Sequence, residues 1–283
     1  MTPLLSVRGL CKRYESFALK NVSFEVQPGS ITGFIGRNGA GKTTTLKSLL
    51  NFVHPDAGKI KFFDRFFSDD EMDIKQRIGF VSGGIDYYPQ KKLRTIAQVT
   101  KRFYGAWDEQ VYRSYMADFN LDEQKTPREL SEGMKVKFSL ALALSHNAKL
   151  LILDEPTSGL DPVSRDDLLD VFLSLAEEKQ VGILFSTHIT SDLEKCADHI
   201  VYIKNGSIIE DGKTDFIQRK FRIANFKMEQ DTSAFSGKLI GMKRNRDGFS
   251  ALVRAEELPI PGINPRPADL ESIMVHMEKE CAI

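Results

Sequence analysis

The sequence has no excess of charge of either sign. Its 39 Lys and Arg residues balance 39 Asp and Glu residues, so the formal net charge at pH 7 is zero. Proteins that bind nucleic acid or anionic lipid through a general electrostatic field carry a surplus of basic residues. The composition therefore gives no support for nucleic acid as a partner, and we expect none.

Cysteines and long apolar runs are also scarce. The three cysteines, Cys11, Cys196 and Cys281, are far apart and lack the spacing of a metal site. A sparse, odd set indicates a reducing compartment. The longest apolar runs, 140–144 and 150–153, are far shorter than a membrane span, and the N-terminus does not have the pattern of a signal peptide. We expect a soluble cytoplasmic protein that reaches the inner face of the cell membrane only through a partner.

The sequence does contain a glycine-rich loop between a predicted strand and a predicted helix. Residues 36–43 read GRNGAGKT, which matches the phosphate-loop pattern G-x-x-x-x-G-K-[ST]. A short β-prone run, 30–35, precedes the loop, and a segment of helical periodicity, 44–50, follows it. Glycines let successive backbone N–H groups turn toward a phosphate at a helix N-terminus. The sequence therefore predicts a site for a nucleoside triphosphate.

Two side chains of this loop have specific predicted roles. Lys42 reaches the β- and γ-phosphates and takes part in catalysis, and the Thr43 hydroxyl joins the coordination shell of Mg²⁺. The predicted nucleotide contacts in this region are Gly36, Arg37, Asn38, Gly39, Ala40, Gly41, Lys42, Thr43 and Thr44.

A second site element is a pair of acids after a buried strand. Residues 150–153 are four consecutive apolar residues, and Asp154 and Glu155 follow directly. Parallel sheets place their sites at the carboxyl ends of strands. Asp154 is predicted to bind Mg²⁺, and Glu155 is predicted to orient or deprotonate an attacking water.

Three further segments, in order, carry a family resemblance. Residues 130–134 read LSEGM, residues 154–161 read DEPTSGLD, and residues 186–188 read STH. Together with the phosphate loop, this ordered set over residues 4–218 resembles the ATP-binding cassette family, whose signature is LSGGQ. The single cassette, the C-terminal extension and the leucine-rich helix after LSEGM resemble the ATPases of bacterial exporters with ABC-2-type membrane subunits.

The resemblance implies roles for residues outside the loop. Tyr14 matches the aromatic residue that stacks on adenine, and His188 matches the switch histidine that contacts the γ-phosphate and the attacking water. Ser131 and Gly133 lie at a helix start that suits a phosphate. In the family, this signature closes on the nucleotide held by a second subunit, and Asp161 lies in the adjoining D-loop. The expected assembly is a homodimer or heterodimer around two ATP molecules, attached to membrane-spanning subunits.

One family element is missing. The family places a Mg²⁺-sensing glutamine after the strand 78–81, but here the segment reads Ser-Gly-Gly-Ile, with Gly83 at that position. Two aromatic residues, Trp107 and Phe103, belong to a helical segment that in the family receives a helix of the membrane partner. We interpret both residues as core of that segment.

The expected fold is α/β, a P-loop core with an antiparallel β-subdomain and an inserted helical subdomain at about 84–147. We place the boundary of a small C-terminal α+β domain at 218/219, so that the two domains cover 1–218 and 219–283. The expected function is the ATP-hydrolysing subunit of an ABC transporter, with Mg²⁺ as cofactor. The alternative is a soluble cassette ATPase that acts as a mechanical or regulatory module on ribosomes or DNA, although this chain has a single cassette and no heptad arm.

Overall fold

The computed structural model describes residues 2–82, 88–227, 237–259 and 262–279. These residues form three β-sheets, with helices packed between and around them. Gly83, the position of the missing glutamine, and Cys281 lie outside the described residues. Within the described ranges, no helix is long and apolar enough to span a bilayer.

The central sheet has six strands in the order β10-β9-β3-β8-β7-β6. All neighbouring strands are parallel except β10, which pairs antiparallel with β9. Every residue of β3, β7 and β8, three of the four inner strands, is buried, as the continuous apolar runs of the sequence predicted. The strands are β3 (Ile31–Ile35), β6 (Ile78–Ser82), β7 (Leu150–Asp154), β8 (Gly182–Thr187), β9 (His199–Lys204) and β10 (Ser207–Lys213).

A second, antiparallel sheet lies beside the central one, with the order β2-β1-β4-β5. Its strands are β1 (Leu5–Arg13), β2 (Ala18–Val26), β4 (Ala57–Phe62) and β5 (Arg65–Phe66). Alternation along β2 buries Val22, Phe24 and Val26. These three side chains share a core with Leu46 and Leu49 from the helix that follows the glycine loop, so the two sheets hold that helix between them.

Nine helices lie in the described parts of the chain. Those around the central sheet are α1 (Lys42–Leu49), α2 (Glu71–Lys75), α6 (Pro162–Glu177), α7 (Thr190–Cys196) and α8 (Thr214–Lys220). Between β6 and β7 lie α3 (Leu93–Lys101), α4 (Glu109–Asp118) and α5 (Glu132–Ser145). This placement agrees with the expected helical insertion in a P-loop core.

The aromatic residues of the insertion correct one expectation. Trp107 packs against the main core, as expected. Phe103 does not, because 71% of it is exposed. It follows the C-terminal end of α3, and its backbone carbonyl accepts a hydrogen bond of 2.8 Å from the Gln76 side chain. The apolar stripe of α3 therefore continues past the core onto the surface.

A third sheet and the last helix form a C-terminal unit. The strands β11 (Phe221–Lys227), β12 (Ile240–Arg244), β13 (Gly248–Arg254) and β14 (Arg266–Pro267) pair in the order β12-β13-β11-β14. Helix α9 (Leu270–Lys279) packs on β12 and β13 and also contacts α7. Ile273 and Met277 belong to the same core as the helices of the main body, so the C-terminal unit does not have a separate core at these positions. The domain boundary at 218/219 stays a prediction.

The hairpin turn between β9 and β10 makes unusually close contacts. Asn205 and Gly206 have positive φ of 48° and 79°, as expected for an Asn-Gly turn. The Gly206 N–H donates to Ala40 O at 2.9 Å, and Gly206 O accepts from Lys20 N at 2.8 Å. A Cβ at Gly206 would lie 1.8 Å from Ala18 O. The turn thus ties the glycine loop to the antiparallel sheet.

Candidate functional site

The glycine loop runs from the end of β3 to the start of α1, and its first residue packs closely against β9. A Cβ at Gly36 would lie 2.4 Å from the backbone carbonyl of Ile203 on β9. Gly41 precedes the helix with a φ of 115°, a conformation that side chains strongly disfavour. The loop therefore has both the close approach and the left-handed backbone that a phosphate cradle requires.

Lys42 lies inside this loop. Only 5% of it is exposed, and Nζ donates to Gly36 O at 2.8 Å. Nζ also lies 3.2 Å from Oε1 of Glu155, across the cavity. The ammonium thus connects the loop to the acid that follows β7. A buried cation beside glycine N–H groups is an environment that favours a phosphate.

Asp154 and Thr43 form a pair of hard oxygen donors. Thr43 Oγ1 lies 3.4 Å from Asp154 Oδ1, and Asp154 is largely buried at the end of β7. The fully buried Ser186 on β8 donates to the same Oδ1 at 2.6 Å. Mg²⁺ is usually bound by one or two protein oxygens together with substrate phosphates, so this donor set fits the ion. Ser186 was not predicted from the sequence.

Glu155 and His188 form the other half of the site. The two side chains meet with Glu155 Oε2 2.8 Å from His188 Nδ1. Glu155 has a φ of 51°, and its N–H donates to Ser186 O at 2.9 Å, which holds the residue at the turn after β7. The structure therefore brings Lys42, Glu155 and His188 together, with the carboxylate between two nitrogen groups.

Lys42, Thr43, Glu155 and His188 line one cavity of about 640 Å³, whereas Gly36 and Asp154 do not. That volume suits a nucleotide-sized ligand. Ala40 is buried beneath the loop and holds the Gly206 turn instead of lining the cavity. The lining residues are Ser16, Phe17, Arg37, Asn38, Gly39, Gly41, Lys42, Thr43, Thr44, Glu155, Ser158 and His188.

The aromatic residue in the lining is Phe17, whereas Tyr14 lies outside it. Tyr14 N donates to Phe17 O at 2.7 Å across the turn between β1 and β2, so both residues belong to one short loop. The Tyr14 ring is exposed, with Lys12 Nζ 5.8 Å from its centroid. The stacking role of Tyr14 stays a prediction, and Phe17 is the aromatic side chain nearest the loop glycines, 2.8 Å from the Cβ position of Gly41.

The signature residues are absent from the lining of this cavity. Ser131 caps α5 by accepting from Met134 N at 3.3 Å, and Gly133 lies in the first turn of that helix. Asp161 caps α6 by accepting from Val163 N at 3.0 Å. The hydroxyl and N–H of Ser164 hold the pKa of Asp161 below its usual value, so it stays ionised. Ser131 and Asp161 are exposed, and the buried Gly133 lies beside Leu160 and Ser164, which brings the starts of α5 and α6 together. The starts of these two helices are called the second surface below, and it does not line the glycine-loop cavity.

Comparison with known proteins agrees with this geometry. A family model described as ABC transporter matches residues 19–158. The bacitracin transport ATP-binding protein BcrA of Bacillus licheniformis is 32% identical over 225 residues, covering 78% of this chain and 74% of that protein. The Nod factor export ATP-binding protein I of Ralstonia nicotianae is 34% identical over 218 residues, covering 75% and 68%.

A solved structure of the ATP-binding subunit of an ABC transporter aligns with a TM-score of 0.69 at 30% identity, covering 76% of this chain and 92% of that one. The solved structure shares the fold of this chain over most of its own length. The chain belongs to the ABC transporter family and is an ATP-binding subunit of an ABC transporter.

Proposed function

We propose that the chain hydrolyses Mg-ATP to drive an exporter whose membrane-spanning subunits are separate chains. The observation that carries this proposal is the position of Glu155 between Lys42 and His188 at the rim of the glycine loop. The two relatives named above are described as a bacitracin transport protein and a Nod factor export protein, which supports export as the direction.

Each side chain has a separate task in this proposal. Lys42 binds the β- and γ-phosphates, and Mg²⁺, held by Thr43 and Asp154, neutralises phosphate charge when it is bound. Glu155 aligns an attacking water and accepts its proton. His188, held by Glu155, contacts the γ-phosphate side of the cavity. Most of the rate enhancement then comes from positioning and charge stabilisation.

The second surface supports a head-to-tail pair of subunits. Ser131 and Gly133 lie at a helix N-terminus, which favours a phosphate, yet they do not line the cavity of their own chain. In a head-to-tail pair, each helix start faces the nucleotide of the other subunit, and Asp161 lies at the contact. The partner is either a second copy of this chain or a related ATP-binding subunit.

A groove on the helical side fits the membrane-spanning partner. A mainly apolar cavity of about 680 Å³ lies between α2 and α3 and includes Met72, Val99 and Phe103. All three side chains are exposed, and such a concentration of apolar surface is typical of a protein contact. The proposed occupant is a cytoplasmic segment of the membrane subunit, which would hold this chain at the inner face of the membrane.

The test of hydrolysis compares Glu155→Gln with wild type. We expect ATP affinity within about threefold of wild type and a hydrolysis rate lower by at least ~100-fold, because only the base is lost. Light scattering in saturating Mg-ATP is expected to show the variant as a dimer. The exposed Glu178 on the opposite end of α6 provides the matched control Glu178→Gln, with wild-type hydrolysis. Wild-type hydrolysis by Glu155→Gln would refute the assigned role.

A further inference from the structure

The last turn of α9 lies against the strand that supports the glycine loop. Lys204 Nζ on β9 donates to the backbone carbonyl of Met277. The Tyr202 hydroxyl, on the same strand, donates to Glu278 Oε1 at 2.9 Å, and Met274 O lies 3.3 Å from the same hydroxyl. Lysine at the carboxyl end of a helix compensates unpaired carbonyl groups and the helix dipole. The C-terminal unit is therefore fixed to β9 beside the nucleotide site.

Glu278 connects this contact to the site itself. Its Oε2 lies 3.8 Å from Nη1 of Arg37, the second residue of the glycine loop. Arg37 also lines the nucleotide cavity. The guanidinium is thus within reach of two anionic positions, the carboxylate of the C-terminal unit and the phosphates that the loop binds.

The two side chains of this ion pair are held very differently. The Glu278 side chain is 15% exposed and has a hydrogen bond from Tyr202, whereas the Arg37 side chain is 68% exposed. Burial, together with the Glu278 charge, raises the pKa of Tyr202, which keeps its hydroxyl protonated as a donor. A separation of 3.8 Å is too long for a hydrogen bond. Arg37 is therefore the partner that can leave, while Glu278 stays in place.

We propose that Glu278 and the triphosphate of ATP compete for Arg37, so that Glu278 is a positioning residue for the nucleotide, supplied by the C-terminal unit. When ATP is bound, Arg37 turns to the phosphates and the end of α9 loses a contact. Such coupling is reciprocal. The factor by which bound ATP weakens the contact between Glu278 and Arg37 is therefore also the factor by which that contact lowers ATP affinity. This inference rests on ATP binding and is independent of hydrolysis and dimerisation.

The expected effect is small and has a defined sign. An exposed ion pair of this kind changes an equilibrium by a factor of about two to five. Glu278→Gln is therefore expected to bind ATP about two- to fivefold more tightly. Arg37→Gln is expected to bind ATP more weakly, and the double variant is expected to match Arg37→Gln, since without the guanidinium nothing remains for Glu278 to compete for.

The experiment is titration calorimetry of the full chain with ATP in EDTA, where no hydrolysis occurs. The matched control is Glu271→Gln, the same chemical change in the first turn of α9. Its affinity is expected to stay within about 1.5-fold of wild type. Equal affinities of Glu278→Gln and Glu271→Gln would overturn the inference, and so would a gain that persists when Arg37 is replaced.

Hydrogen exchange of the unmodified chain provides a second measurement. ATP is expected to speed exchange of the amides at 274–279 in wild type and to leave them unchanged in Arg37→Gln. Protection of these amides by ATP would overturn the inference. If wild type bound no ATP at all, the proposed function would fail together with it; ATP binding with none of the Glu278 effects would refute the inference alone.

Discussion

Ser186 donates a hydrogen bond of 2.6 Å to Asp154 from the directly paired position on the neighbouring strand. This bond fixes one oxygen of the carboxylate that also faces Thr43. Both residues are buried at the carboxyl end of the sheet. The orientation of the proposed Mg²⁺ ligand is thus set by the strand register of β7 and β8.

Replacing Ser186 by Ala is expected to raise the Mg²⁺ concentration at which Mg²⁺ supports ATP binding. Loss of a group that orients a metal ligand typically reduces metal affinity 10- to 100-fold, and we expect about tenfold here. The measurement is ATP binding as a function of Mg²⁺ concentration. Ser145→Ala removes an equally buried hydroxyl from α5, remote from the site, and serves as control. An unchanged Mg²⁺ requirement in Ser186→Ala would contradict the assignment.

Two glycines of the loop are expected to respond differently to alanine. At Gly36 a Cβ would meet the backbone of Ile203 at 2.4 Å, so Gly36→Ala displaces the loop or β9 and lowers ATP affinity by more than tenfold. At Gly39 the space is open, and only the positive φ opposes a side chain, at a cost of about 1–2 kcal/mol. Thermal unfolding and ATP titration of both variants test whether Gly36→Ala loses more affinity than Gly39→Ala. Equal losses of affinity would refute the prediction.

The apolar groove is tested with a charge at Phe103. Phe103→Glu is expected to abolish co-purification of a membrane-spanning partner from native membranes in mild detergent, because a carboxylate would be buried in the contact. ATP binding by the isolated variant is expected to be unchanged. Phe216 on α8 is similarly exposed and lies outside the groove, so Phe216→Glu is the matched control. Retention of the partner by Phe103→Glu would exclude the groove as its docking site.

Acid is expected to destabilise the protein through His146. Burial lowers its pKa from 6.5 to about 4, and the ring stacks on Tyr104 at a centroid distance of 3.7 Å. Between these two pH values the unfolded chain binds the proton and the folded chain does not. Stability therefore falls as pH falls, by roughly 2 kcal/mol between pH 7 and 5.

Urea unfolding of His146→Asn checks this pH dependence. The variant has no titrating ring at this position, so its stability is expected to fall less than that of wild type over the same interval. Its stability at pH 7 is expected to be lower, because the stacking on Tyr104 is lost. Identical pH dependence in the two proteins would show that His146 does not control it.

The sequence predicted those parts of the site that lie close together along the chain. The glycine loop and the acids after β7 each occupy one strand and its exit, so an apolar run and a short motif suffice to place them. Ser186 and Glu278 carry no such pattern, because their roles depend on strand register and on how the last helix packs. Those contacts became visible only in three dimensions.

Phe103 and Phe17 illustrate two other limits of sequence reasoning. The spacing of Phe103 from Ile96 places both on one face of a helix, but periodicity does not distinguish a face that meets the core from a face that meets a partner. Phe17 and Tyr14 are three residues apart in one turn, and only the geometry of that turn decides which ring faces the loop. The family motif favoured Tyr14, whereas the structure brings Phe17 to the cavity.

The turn at Asn205 and Gly206 has a practical consequence for engineering the protein. Hairpin turns are the customary place to insert an epitope, a labelling cysteine or new chain termini. Here the turn is bonded to Ala40 and Lys20 and leaves no room for a Cβ beside Ala18. An insertion would separate the glycine loop from the antiparallel sheet, so this turn is unsuitable for tags or for the new termini of a circular permutant.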